Sequence, residues 1–111
     1  MKEEYSIKNP NKQDVLAGRG NLTNLHPGNI TFRRLIIDGK SAYVQESNEE
    51  KKKIASRIIS TIQNAKPPGR FLERNKDTGL WDCMCYAKAL KKTRQRLRNH
   101  QVIELTAFDG Q

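Results

Sequence analysis

Hydrophobic residues spaced three or four positions apart predict a helix in the middle of the chain. Ser47 and Glu50 form a capping box at its start, in which the serine hydroxyl accepts from the Glu50 backbone N–H and the glutamate reaches back. Pro67-Pro68-Gly69 ends the segment. The apolar positions that repeat at helical spacing are Ile54, Ala55, Ile58, Ile59 and Ile62.

A shorter helix is predicted before it, over residues 30–37. The segment 27–29, Pro-Gly-Asn, supplies start signals, and Asp38-Gly39 supplies the stop. Arg33 and Arg34 point away from the apolar face of this helix. A strand is the alternative, because the segment is rich in β-branched residues. The apolar face holds Phe32, Leu35 and Ile36.

Two short runs that carry aromatic residues, 70–74 and 80–85, predict a β-hairpin. A loop over residues 75–79, which ends in glycine, separates them. Trp81 alternates onto one face with the cysteines at 83 and 85, and we expect Trp81 to belong to the core. A short strand is also predicted earlier in the chain, over residues 14–17.

These elements define an α+β fold: a short strand, two helices, a β-hairpin and a basic third helix. The order of helices and hairpin is compatible with a winged-helix arrangement, in which the hairpin is the wing. Residues 1–13 are polar and are expected to form a flexible arm, and residues 14–99 to form a single domain. The tail, 100–111, carries an apolar patch over 102–105 that is a candidate edge strand.

The third helix, predicted over residues 86–99, is the most basic part of the chain. No Asp or Glu occurs between Tyr86 and Ile103. Like charges one helical turn apart repel each other, so such a helix is expected to face a polyanion. Its narrow apolar stripe is Tyr86, Leu90, Thr93 and Leu97, and its cations are Lys88, Lys91, Lys92, Arg94, Arg96 and Arg98.

The whole chain is basic as well, with 21 Lys and Arg against 12 Asp and Glu, a formal net charge of +9. Such an excess attracts DNA, RNA or an anionic membrane surface. No apolar run approaches the roughly 18 residues that a membrane span requires, and the stripe of the third helix is narrow for a membrane surface. The first residues lack a secretory signal. We therefore expect an intracellular, nuclear protein with reduced thiols and no membrane partner.

The loop over residues 18–29 is rich in Gly, Asn and Pro. Gly18 and Gly20 allow backbone N–H groups to form a nest for an anion, and Asn29 with the following helix start adds a dipole-oriented site. Arg19, between the two glycines, can contact a phosphate or a guanine edge. The alternative is a packed structural loop in which Arg19 pairs with an acid such as Asp14 or Asp82.

The sequence predicts no metal, no cofactor and no catalytic centre. Cys83 and Cys85 are separated by one residue, whereas zinc sites show two residues between cysteines and four clear ligands. His26 is interpreted as a side chain that fixes its loop by hydrogen bonding. Phosphate-binding Walker and serine-nucleophile motifs are both missing, so the protein is not predicted to be an enzyme.

Several short motifs follow one another along the chain. They are DVLAGRG from Asp14, NLHPGNITFR from Asn24, GRFL from Gly69, GLW from Gly79 and KTRQRLR from Lys92. In this order they resemble the pattern of an uncharacterised domain family that is expanded in diatoms and related algae. The resemblance covers roughly residues 14–99 and implies no activity.

Taken together, these features predict a nucleic-acid-binding module, with duplex DNA favoured over RNA. The alternative is a protein-interaction module for an acidic or phosphorylated partner, which would use the same cations. Phosphate contacts would supply affinity through counterion release. The predicted contact residues are Arg19, Arg33, Arg34, Lys88, Lys91, Lys92, Arg94 and Arg98.

Overall fold

The computed structural model describes residues 6–18 and 20–99, and these form four helices and one four-stranded sheet. The α+β class is confirmed, whereas the winged-helix arrangement stays a prediction. In chain order the elements are β1 (Ser6–Ile7), β2 (Val15–Leu16), α1 (Asn21–Asn24), α2 (Pro27–Gln45), α3 (Asn48–Gln63), β3 (Phe71–Arg74), β4 (Trp81–Cys83) and α4 (Tyr86–Arg98).

The sheet has the strand order β1-β4-β3-β2 and is mixed. The predicted hairpin is confirmed: β3 and β4 are antiparallel, with Leu72 opposite Cys83. The predicted early strand is confirmed as β2, which pairs in parallel with β3. β1 pairs with β4 although it belongs to the segment predicted to be an arm, so part of that segment is built into the sheet. The apolar patch over 102–105 lies outside the described residues.

Helix α3 follows the sequence closely. The Glu50 backbone N–H donates to the Ser47 hydroxyl at 3.3 Å, as the capping box predicts. The carboxylate of Glu50, however, lies 3.2 Å from Lys53 Nζ instead of turning back to the helix start. The buried face of α3 consists of Ala55, Ile58, Ile59 and Ile62.

Helix α2 is longer than predicted. It begins at Pro27 and continues through Asp38-Gly39, where the sequence predicts its end, to Gln45. Gly39 lies where α2 contacts the other helices, because a Cβ at this position would meet Ile54 and Leu97 at 3.4 and 3.6 Å. Burial of Tyr43 beyond it outweighs the low helix propensity of glycine, so tertiary packing sets the end of this helix.

The main core lies between the three long helices and one face of the sheet. Phe32 and Phe71 meet there edge to face, with ring centroids 5.5 Å apart. Trp81 is an exception to the sequence prediction, because it is only partly buried and lies outside this core. Strand pleating places it on the sheet face opposite Phe71, where Arg74 lies over its ring at 5.0 Å.

Asp14 is the most heavily bonded side chain at the sheet edge. Its carboxylate is fully buried and accepts the backbone N–H groups of Asn11 and Arg70 at 2.7 and 2.9 Å. The Arg70 guanidinium donates to both carboxylate oxygens, at 3.0 and 2.8 Å. Gly28 of α2 packs against the Asp14 backbone so closely that a Cβ there would collide with the carbonyl oxygen. Asp14 therefore fixes the starts of β2 and β3 relative to each other.

Replacing Asp14 with Asn should lower the free energy of unfolding by about 3 kcal/mol, because the buried donors of Asn11 and Arg70 lose a charged acceptor. Urea denaturation measures this difference. Asp38→Asn removes the same charge from an exposed position of α2 and should change the free energy by less than about 0.5 kcal/mol. Equal losses in the two variants would contradict the role assigned to Asp14.

Candidate nucleic-acid interface

The basic helix α4 packs its apolar stripe against α2 and α3. Thr93 is buried in this stripe, and its hydroxyl donates to the Ala89 carbonyl at 2.8 Å. Tyr86, predicted to belong to the stripe, is 50% exposed, and its hydroxyl lies 2.9 Å from Ser56 Oγ. Because the stripe is narrow, the cations of α4 occupy both of its flanks as well as the solvent side.

Lys91, Arg94 and Arg98 lie along one flank, which we call the exposed row. Their three- and four-residue spacing places them on one face, where they line a shallow groove. Arg94 Nε donates to the Tyr43 hydroxyl at 3.2 Å, which fixes the guanidinium over the groove. Within the described part of the chain, neither Lys91 nor Arg98 forms an ion pair with an acid. These charges are therefore open to an external anion.

Lys88 lies on the other flank and is already paired. Its ammonium lies 2.6 Å from a carboxylate oxygen of Glu73 on β3. This hydrogen bond raises the pKa of Lys88, and the negative charge of Glu73 adds to the effect. An external phosphate would have to compete with Glu73, so we expect Lys88 to contribute less to the binding of an anion than its neighbours do.

Lys92 and Arg96 follow Lys88 on the same flank, one and two turns along the helix. Together with Arg33 of α2 they line a small cavity of about 30 Å³, which we call the cationic pocket. Arg33 is held in place because its Nη2 donates to the Asn24 carbonyl at 2.9 Å. The structure thus brings two predicted contact residues, Arg33 and Lys92, to one site.

The three cations of the pocket raise one another's electrostatic energy. Burial lowers the pKa of Lys92, and the guanidinium of Arg96 lowers it further. Burial also lowers the pKa of Arg96, with Arg33 as the second cause. Both shifts have the direction expected for cations that are desolvated beside like charges. The pocket is therefore an environment that favours a negative charge.

Two predicted contacts remain, Arg34 and Arg19. Arg34 is exposed on α2 and lines neither the pocket nor the groove. Arg19 lies outside the described residues, so its contact with a phosphate or a guanine edge stays a prediction. Sequence reasoning did not include Arg96 among the contacts. The signal that could have identified it is the four-residue spacing that joins it to Lys92 on one helix face.

Side-chain hydrogen bonds of His26 and Asn29 hold the loop before α2 and the first turn of that helix in place. The Asn29 side-chain amide donates to the Leu16 carbonyl at 2.9 Å and accepts the Leu16 N–H at 2.8 Å. His26 Nε2 lies 2.9 Å from the Asn11 carbonyl, as its interpretation as a loop-fixing residue requires. The Asn29 amide is thus bonded to β2, and the anion contact predicted for it stays a prediction.

The backbone before α1 adopts conformations that favour glycine. Gly18 has φ of 135° and Gly20 has φ of 99°, both in the region that L-residues rarely occupy. Gly18 also lines the cationic pocket and so forms part of its rim.

Among residues 6–18 and 20–99, no three His, Cys, Asp or Glu side chains are placed to hold a metal ion. Both cysteines are free, and burial raises the pKa of the Cys83 thiol. None of the helices in this part of the chain has the length and apolar character needed to cross a bilayer.

The carboxyl end of α4 is tied to α2 by Lys40, which is 5% exposed. Its ammonium donates to the carbonyls of Arg96 and Leu97 at 3.0 and 2.8 Å. A cation at this end of a helix satisfies free carbonyls and interacts favourably with the helix dipole. Burial lowers the pKa of Lys40, and nearby Arg96 lowers it further. Lys40 therefore positions the turn of α4 that carries Arg96.

Residues 14–99 match a family described as a domain of unknown function, DUF6824. The chain belongs to this family. Its DUF6824 region begins at the buried Asp14 and ends directly after α4, so it includes the exposed row and the cationic pocket. No significant match is found among curated proteins or among solved structures. The function of this DUF6824 domain must therefore be inferred from its own geometry.

Replacing Lys40 with Met should lower the free energy of unfolding by about 1–3 kcal/mol, because the carbonyls of Arg96 and Leu97 lose their donor. Chemical denaturation measures the difference. Lys52→Met makes the same change at an exposed position of α3 and should have an effect of less than about 0.5 kcal/mol. If Lys40→Met were as stable as the wild type, Lys40 would not be the tie between α2 and α4.

Proposed function

We propose that this DUF6824 domain binds nucleic acid, with duplex DNA as its favoured ligand, and that it is a binding module and not an enzyme. The observation that carries this proposal is the exposed row of Lys91, Arg94 and Arg98 on a helix without acidic residues. Cations presented in this way neutralise phosphates and release condensed counterions, which supplies affinity without sequence preference. A nuclear location would accompany such a function.

The dimensions of α4 suit contact with a duplex. Lys91 and Arg98 are seven residues apart, which corresponds to about 10 Å along a helix. The opposite side of α4 is packed against α2 and α3, so only its cationic side is free to approach a ligand. We propose that this side follows the phosphate backbone, with Arg34 and Arg19 as further contacts and Lys88 as a weaker one.

The placement of aromatic residues favours a duplex over a single strand. Proteins that bind single strands stack bases on exposed aromatic side chains. Here Phe32, Tyr43 and Phe71 are buried in the core, and the ring of Trp81 faces Arg74. Tyr86, which is 50% exposed, is the exception among the described residues. Recognition through phosphates is therefore better supported than recognition through base stacking.

The alternative function, binding of an acidic or phosphorylated protein, is favoured by a different observation. Leu22 and Leu25, in and beside α1, are 84% and 68% exposed. Exposed aliphatic side chains can form the apolar centre of a protein interface, whereas phosphate contacts do not require them. Folded protein that binds no nucleic acid at low salt would favour this alternative.

Binding to a duplex of random sequence should weaken steeply as salt increases. If five to eight phosphates are contacted, the logarithm of the affinity should fall against the logarithm of salt with a slope of roughly −4 to −7. Lys91→Ala and Arg98→Ala should each weaken binding to all duplexes alike and reduce that slope by about 1. Fluorescence anisotropy at several salt concentrations measures both quantities, with single-stranded DNA and RNA for comparison.

Lys52→Ala provides the matched control for this experiment. It removes one positive charge from an exposed position of α3, away from the exposed row. Its effect on the salt slope should be small. If Lys52→Ala acted as strongly as Lys91→Ala, diffuse attraction by the net charge would replace the proposed interface on α4.

A further inference from the structure

Arg96, which lines the cationic pocket, carries a hydrogen-bond donor that has no acceptor among the described residues. Arg96 Nε is buried and has no hydrogen-bond partner, and no other buried side-chain nitrogen or oxygen in the described residues shares this condition. Buried donors without an acceptor are rare in folded proteins and require an explanation. The guanidinium is held where it is, since it lies over the Phe32 ring at 6.0 Å and its backbone carbonyl is bound by Lys40.

The surroundings of this donor are positively charged and offer it no acid. Arg33 and Lys92 line the same cavity, and no acidic side chain among residues 6–18 and 20–99 lines it. The negative charge of Glu73 only partly offsets the lowering of the Lys92 pKa, and the carboxylate of Glu73 is bound by Lys88 at 2.6 Å. Three cations around one small cavity repel one another until an anion enters it.

Two polar groups at the rim are already bonded within the protein. The Asn24 carbonyl accepts from Arg33, and both ends of the Asn29 amide are bonded to Leu16. A ligand in this cavity would therefore meet hydrogen-bond donors on Arg33, Lys92 and Arg96. Guanidinium groups match the oxygens of a phosphate with paired hydrogen bonds, and an ammonium adds a point charge.

The size of the cavity restricts the ligand further. It has a volume of about 30 Å³, and a cavity needs roughly 10–15 Å³ to hold one water. It therefore has room for oxygen atoms of one phosphate group and is small for a base or a sugar ring. From this geometry we propose that Arg33, Lys92 and Arg96 form a binding pocket for one phosphate group.

This proposal does not depend on nucleic-acid binding by the exposed row. The phosphate could belong to the backbone of a duplex that lies along α4, or it could be a free phosphate. Both sources offer unesterified phosphate oxygens as acceptors for the donors of the pocket. Inorganic phosphate is therefore the first probe, because its binding can be measured in the absence of nucleic acid.

The Nε–H resonances of arginine in ¹⁵N-labelled protein report on the pocket directly. We expect the Arg96 Nε–H signal to shift saturably when sodium phosphate replaces sodium chloride at constant ionic strength. The corresponding signal of Arg57, an exposed residue of α3, should not move. No saturable shift of the Arg96 signal in the wild-type protein would overturn the proposal without any need for a variant.

Variants then test which side chains bind the ion. Arg96→Lys keeps the charge but loses the planar fork, so phosphate binding should weaken by about tenfold or more. Lys92→Gln, which leaves the stacked guanidinium in place, should weaken it as well. Arg57→Lys is the matched control and should bind phosphate like the wild type. If Arg57→Lys weakened binding as much as Arg96→Lys, the pocket would not be the site.

The same variants identify the source of the phosphate. If Arg96→Lys weakens duplex binding and inorganic phosphate competes with the duplex for the wild-type protein, a backbone phosphate enters the pocket. If Arg96→Lys loses inorganic phosphate but binds duplex like the wild type, the pocket serves a free phosphate. If no duplex binds at all while inorganic phosphate does, the proposed function fails and the pocket remains.

Discussion

The buried carboxylate of Asp14 is the interaction on which the rest of the domain depends. It joins the turn at Asn11, the start of β2 and the start of β3, although Arg70 lies 56 residues further along the chain. A buried carboxylate must be paired and hydrogen-bonded, and Asp14 meets this requirement with two backbone N–H groups and one guanidinium. Its burial is therefore compatible with folding only when β2 and β3 lie side by side.

Contacts with the sheet position α2, and contacts with α2 position α4. Gly28 lets the first turn of α2 approach the Asp14 backbone, and Asn29 hydrogen-bonds to both backbone groups of Leu16 at the sheet edge. Further along α2, Lys40 holds the last carbonyls of α4. The position of Arg96 beside Arg33 thus follows from contacts that begin at the sheet, so the pocket is a product of the scaffold.

The basic residues of α4 fall into groups that differ in burial and in pairing with acids. Lys91 and Arg98 are exposed, so salt screens their charges. Such side chains can contact phosphates in many different positions. Lys92 and Arg96 are partly desolvated beside Arg33, and salt screens such charges much less. Lys88 forms an ion pair with Glu73. These residues carry the same charge, but they differ in burial and pairing, so we expect them to bind anions differently.

The sequence by itself determined the elements whose signals are local. The N-cap at Ser47, the apolar spacing of α3, the hairpin and the extent of α4 all depend on residues within a few positions of one another, and the structure confirms them. Helical spacing also separates Lys91 and Arg98 from Lys92 and Arg96. What only the tertiary structure decided are the contacts between distant residues. Asp38-Gly39 carries the local signals of a helix end, yet α2 continues because Tyr43 and Lys40 are buried beyond it. Asp14 could have paired with any arginine, and it is the fold that selects Arg70. Periodicity places cations on two flanks of α4 but cannot show which flank faces α2, because that depends on how the helices pack. The pocket exists only because the packing brings Arg33 to the flank that carries Lys92 and Arg96.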